Sequence, residues 1–190
     1  PKIVRGETVM AVCMTEPDFG SDLAHIQCSA VDMGDHYLVN GCKTFISNGM
    51  VADLFVVAVR TNPNAEKAHK GISLLLIEAD SEGLTRQLIP KIGLQAQDTA
   101  QIFFDNVKVP KSNLIGEENR GFYVLMQHLE AERIMAAYEE GRNTSFSNKE
   151  IKNLVRRFMP ELFDSEFDQM KRIAGELASN LVERLSRDCQ

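Results

Sequence analysis

Two groups of residues in this chain have types and spacings that could do chemistry. The first is a single carboxylate, Glu132, seven positions after Leu125 and three after Leu129. On a helix that spacing sets the carboxylate on or beside the apolar stripe. Burial disfavours a charged carboxylate and raises its pKa, which suits a general base working near neutral pH. An exposed glutamate at the edge of the stripe, paired with Arg133, would give the same pattern. The second group lies earlier, in turn-like segments. Thr15, Ser21, Thr44 and Ser47 supply hydroxyls that can bond a heteroaromatic ring or a phosphate, and Gly20 lets backbone N–H groups approach a ligand closely. Phe45 offers a ring that can stack on a planar group. Ordinary turn and core roles account for the same residues, since Asp18-Phe19-Gly20-Ser21-Asp22 makes a good loop whatever its function.

Other chemistries find no foothold in the sequence. Its four histidines, His25, His36, His69 and His128, do not stand at metal-ligand spacing with one another or with a cysteine. There is no phosphate-binding GxxxxGK loop, no GxGxxG and no GxSxG.

The elements that must position these residues change character near Gly121. Before it, short β-type runs dominate: Thr8 to Met14, Cys28 to Met33, Tyr37 to Val39, Lys43 to Ile46, Asp53 to Val59, Ile72 to Ile77, Gln101 to Phe104 and Val107 to Val109. Asn40-Gly41 stands between two apolar runs, the strongest short hairpin signal. Thr61 to Gly71 is polar and reads as a surface loop. Short strands at regular spacing predict a barrel or sandwich. After Gly121 the period turns helical, with Phe122, Leu125, Met126, Leu129, Ala136 and Ala137 on one face. Ser147 with Glu150 forms a capping box for a second helix, and the stripe Phe167, Met170, Ala174, Leu177, Leu181 and Leu185 predicts a third. The expected class is α+β: an antiparallel β-barrel over residues 1–115, then an incomplete helical bundle over 116–190. Three such helices are too few to bury one another and also cover a barrel, so we expect an apolar face left for another chain or for further sequence.

Composition narrows the classes of partner. The 190 residues are 44% hydrophobic, enough for one sizeable core. Lys+Arg 21 against Asp+Glu 27 leaves a net charge of −6, which gives no electrostatic argument for nucleic acid or an anionic membrane surface. No apolar run approaches the roughly 20 residues that a membrane-spanning helix needs. Four cysteines without CxxC spacing fit a reducing compartment better than a disulfide framework. The chain opens on Pro1 rather than Met, from which we expect an upstream portion.

Several ordered motifs carry a resemblance. Met14-Thr15-Glu16-Pro17-Asp18-Phe19-Gly20-Ser21-Asp22 is followed by Asn40-Gly41-Cys42-Lys43-Thr44-Phe45-Ile46-Ser47-Asn48-Gly49. Gly71 to Glu78, Gly93 to Ala100, Gly116 to Phe122 and Leu129-Glu130-Ala131-Glu132-Arg133-Ile134 come next. From about Thr8 to Ala136 the chain resembles the middle β-domain of the acyl-CoA dehydrogenase family and the start of its helical domain, most closely the long-chain subgroup.

The resemblance implies FAD as cofactor and an acyl-CoA thioester as substrate, α,β-dehydrogenated to a trans-2-enoyl-CoA. It implies flavin contacts from Met14, Thr15, Phe45 and Ser47, phosphate and acyl-CoA contacts from Gly20 and Ser21, Glu132 as the base, and Arg133 ordering the substrate site. Electron-transfer flavoprotein as acceptor and a homo-oligomer follow from the same source, in the mitochondrial matrix of a eukaryote or the cytoplasm of a bacterium. The family's Arg-x-x-Phe-Gly segment is replaced by Arg142-Asn143-Thr144-Ser145-Phe146-Ser147, and the tail from Asn143 departs from the pattern. We therefore expect a fragment or shortened member. An acyl-CoA oxidase and a non-catalytic binding or assembly module are the alternatives.

Overall fold

The computed structural model describes residues 2, 3, 5–127 and 129. Two compact units divide the chain, Pro1–Met126 and Gln127–Gln190, and the architecture below is that of the first. Among the described residues the strands are β1 (Met10–Cys13), β2 (Ser29–Asp32), β3 (His36–Ser47), β4 (Leu54–Arg60), β5 (Ile72–Glu78), β6 (Leu84–Leu88), β7 (Thr99–Pro110) and β8 (Leu114–Ile115). An α-helix starts at Gly121, and residues 121–127 are its continuously described part.

The strands form one mixed sheet in the order β6-β7-β3-β2-β4-β5-β8. β1 lies parallel to β4, pairing Met10–Cys13 with Leu54–Val57. β2 touches the same edge of β4 through a single parallel pair, Ser29↔Arg60. The expected antiparallel barrel is thus corrected to an open, mixed sheet. The misreading has a physical cause: alternation along a strand reports which face is buried, not which neighbour it pairs with or in which direction. The chain leaves β1, loops through residues 14–28 and returns beside β4, so both β1 and β2 run parallel to it. The expected helical bundle falls on residues that, from 130 onward, lie outside the described ones.

Continuous apolar runs mark β4 (LFVVAVR) and β5 (ISLLLIE) as interior strands of the sheet, with apolar side chains on both faces. On one face Phe55, Val57, Val59, Leu75 and Ile77 join Tyr37, Val39, Ile102, Val107 and Val109 in the main core. Each such side chain contributes about 1.5–3 kcal/mol when fully buried. On the other face Ala58, Ile72 and Leu74 meet Ile26 and Leu125, with Met14, Phe19, Leu23 and Phe122 packed against them. This smaller cluster seats both the start of the helix and the loop that carries the first motif. Gly121 fits tightly there, because a Cβ would fall 2.6 Å from the carbonyl carbon of Ser73.

Asn40-Gly41 is not the predicted turn. The β2–β3 hairpin turns instead at residues 33–35, and β3 runs on through Asn40 and Gly41. Pairing with β7 shifts register between Val39 and Gly41, where Asn106 of β7 takes φ +54° and Asn40 bonds it side chain to backbone at 2.8 Å. Gly41 itself sits at φ +143°, and a Cβ there would lie 2.7 Å from the Cα of Cys28. The glycine permits a close backbone crossing within a strand, which Asn-Gly signals as readily as a turn.

Candidate functional site

The first motif begins where β1 ends. Cys13 is fully buried, and the chain then crosses towards β3, the Thr15 carbonyl accepting the Thr44 N–H at 2.9 Å. Glu16 and Phe19 close a tight turn with reciprocal backbone bonds of 3.0 and 3.2 Å. Pro17 stands second in that turn, where its fixed φ is favourable. The Glu16 carboxylate points inward, 6% exposed, and accepts the backbone N–H groups of Gln27 at 2.6 Å and Cys28 at 2.9 Å. One side chain thereby holds both ends of the loop containing Gly20 and Ser21. Arg60, at the end of β4, braces the same loop by donating to the carbonyls of Ala24 (2.7 Å) and Ile26 (2.8 Å).

The second motif is the last third of β3. Lys43 is fully buried, and its Nζ donates to Glu16 at 2.8 Å and to the Met14 carbonyl at 3.1 Å. Two residues on, the pairing with β7 jumps from Lys43↔Ile102 to Ile46↔Ala100, so β3 carries an extra residue there. Phe45 lies in that bulge at φ +57°, with 66% of its surface exposed. A left-handed conformation costs an L-residue about 1–2 kcal/mol. The fold holds Phe45 in it from both sides, through the Thr44–Thr15 bond and the burial of Ile46. Strain in a bulky, exposed aromatic residue is an observation from which a functional role is inferred. Ser47 is exposed and pairs with Thr99 of β7.

Met14 and Thr15 are therefore joined to the Lys43–Ser47 stretch by direct bonds. Gly20 and Ser21 are exposed on the loop that Glu16 closes. Glu132 and Arg133 lie outside the described residues. Glu16, Lys43 and Arg60 were not singled out from the sequence as site residues. A signal existed for Lys43: it lies in a strand among buried positions, and a buried cation demands a carboxylate partner. Two thiols beside this pair, Cys13 and Cys28, are buried. Burial pushes both Cys13 and Cys28 up to about 12, despite the opposing pull of Lys43.

The residues present fit a flat aromatic cofactor. An exposed ring on a strained bulge stands beside threonine and serine hydroxyls. Gly20 has an ordinary φ and no atom within 4 Å of a prospective Cβ. Neither backbone conformation nor packing among the described residues explains a glycine there.

Comparison with known proteins identifies the family. Residues 11–107 match the model of the acyl-CoA dehydrogenase middle domain. The chain belongs to the acyl-CoA dehydrogenase family. It is 41% identical over 158 residues to the mitochondrial long-chain specific acyl-CoA dehydrogenase of Sus scrofa, covering 83% of this chain and 37% of that protein. It is 38% identical over 138 residues to the mitochondrial isovaleryl-CoA dehydrogenase of Pongo abelii, covering 72% of this chain and 33% of the relative. The crystal structure of acyl-CoA dehydrogenase from Geobacillus kaustophilus superimposes with a TM-score of 0.73 at 44% identity, over 97% of this chain and 50% of that one. This chain thus spans half or less of the length of each. Members of the family are FAD-dependent oxidoreductases of fatty-acid and amino-acid catabolism.

Proposed function

We propose that the chain provides the flavin- and thioester-binding portion of an acyl-CoA dehydrogenase that converts a long-chain acyl-CoA to the trans-2-enoyl-CoA. The observation that carries this reading is the junction of Met14-Thr15 with β3 beside the strained, exposed Phe45. FAD, when bound, supplies the oxidant that accepts the hydride from the β-carbon. Phe45 would give the flavin ring a flat wall, and Met14, Thr15 and Ser47 would hold it. Gly20 and Ser21, on a loop tied down by Glu16 and Arg60, receive the phosphates of cofactor and substrate.

Glu132 removes the α-proton. That proton is weakly acidic, so the base has to act in a dry pocket with the developing negative charge stabilised. Arg133, next in sequence, orders the substrate site. Long-chain preference rests on the motifs and on similarity to the long-chain relative, while similarity to an isovaleryl-CoA dehydrogenase makes branched short acyl groups the competing substrate class. Electron-transfer flavoprotein is the proposed acceptor, in a homo-oligomer, in the mitochondrial matrix or a bacterial cytoplasm. Titrating the FAD-loaded chain with acyl-CoA thioesters of different length under anaerobic conditions tests this reading. Bleaching of the flavin by long-chain thioesters supports it, and bleaching only by branched short ones moves the substrate class.

A further inference from the structure

Among the described residues, Lys43–Glu16 is the ion pair shut off from water, at 0% and 6% side-chain exposure. Its contacts converge on one short segment. Lys43 holds the carbonyl of Met14, just before Thr15, and the carboxylate of Glu16, just after it, while Thr44 holds the carbonyl of Thr15 itself. Glu16 also gathers the amides of Gln27 and Cys28, which closes the loop bearing Gly20 and Ser21. The cation sits two residues before the Phe45 bulge. A single buried charge pair thus ties together the Met14–Glu16 segment, the loop bearing Gly20 and Ser21, and the strand that leads into Phe45.

Such pairs seldom add net stability, because desolvating two ions offsets their attraction, and apolar replacements of similar volume are often neutral. We propose that Lys43 and Glu16 are positioning residues that hold Thr15 and the 16–28 loop against the Phe45 bulge, and that the pair serves ligand binding rather than fold stability. This inference rests on the proposed flavin site, and its test includes a reading that needs no flavin.

The variants are Lys43→Met and the combination Lys43→Met with Glu16→Gln, the latter leaving an acceptor for the Cys28 amide. Thermal midpoint, amide hydrogen exchange and equilibrium binding of FAD are measured on each. Lys43→Met alone leaves a buried carboxylate unpaired and lowers the midpoint. The double variant recovers most of the midpoint. In it, exchange at Gln27 and Cys28 stays about tenfold faster than in the unaltered chain, a local opening, while β5 and β7 amides keep their protection. Its dissociation constant for FAD stays about tenfold weaker, equivalent to about 1.4 kcal/mol of lost positioning.

A double variant with unaltered exchange over residues 14–28 and unaltered FAD affinity overturns the proposal. So does a uniform loss of protection across the sheet, which would make the pair a general prop of the fold. If the unaltered chain holds no FAD, the flavin reading fails by itself, and the exchange of residues 14–28 still decides whether the pair positions the loop.

Discussion

Replacing Phe45 by asparagine separates stability from binding at one residue. Phe45 is 66% exposed, so roughly a third of its surface leaves water on folding. Full burial of a phenylalanine is worth about 1.5–3 kcal/mol, so Phe45→Asn forfeits about 0.5–1 kcal/mol. Against this stands the left-handed backbone at φ +57°. That conformation costs about 1–2 kcal/mol for a bulky residue and less for asparagine, whose short polar side chain tolerates it. The two terms nearly cancel, and the variant is expected within about 1 kcal/mol of the unaltered chain. In a unit of this size that is a midpoint shift of about 4 °C or less by calorimetry.

Phe55, fully buried in β4, is the control. Phe55→Ala should lose about 3–5 kcal/mol. FAD affinity, read by quenching of flavin fluorescence, should fall about tenfold or more in Phe45→Asn, since an aromatic wall contributes about 0.5–1.5 kcal/mol beyond the area it covers. A loss of more than about 2 kcal/mol in Phe45→Asn, or unchanged FAD affinity, would refute the reasoning that the ring is kept exposed for a ligand.

Three further predictions concern the same region. Gly41→Ala combines φ +143° with a Cβ 2.7 Å from a backbone atom of Cys28, and should cost about 3 kcal/mol or more in urea denaturation. Gly20→Ala, with nothing within 4 Å, should leave stability unchanged while weakening FAD or thioester binding. The thiols of Cys13 and Cys28 give a pH dependence, since folding raises each from its ordinary value near 9 to about 12. The unfolded chain then releases these protons first as pH rises, so their contribution is intact below pH ~9 and is lost on the way to pH ~12, with a slope of about 1.4 kcal/mol per pH unit for each thiol. Cys13→Ala should roughly halve that slope between pH 9 and 11; an unchanged slope would assign the alkaline loss to other groups.

Much of the fold was legible because burial leaves a periodic trace. The runs in β4 and β5 are apolar at nearly every position, and both are interior strands of the sheet. Leu84–Leu88 and Leu114–Ile115 left no such trace; these strands are only half-buried or exposed, and pairing rather than hydrophobicity defines them. Pairing direction was likewise hidden, since β1 and β2 look the same in sequence whether they run parallel or antiparallel to β4. Asn40-Gly41 misled because a glycine required for a close backbone crossing and one required for a turn have the same neighbours. At the candidate site, the hydroxyls and Phe45 were legible from motif and chemistry. The strain at Phe45 was not, because a left-handed bulge arises from the register of β3 against β7, a non-local fact. Lys43 and Glu16 stand 27 positions apart, and only the crossing of the first motif over β3 makes them a pair.

The most direct test of the account is the visible spectrum of the purified chain loaded with FAD, recorded before and after anaerobic addition of a long-chain acyl-CoA, alongside Glu132→Gln. The expected result is bound flavin that bleaches with the thioester, and flavin bound equally well but left unbleached in Glu132→Gln. A chain that holds no flavin with FAD in excess, or a Glu132→Gln variant that bleaches as fast as the unaltered chain, would contradict it.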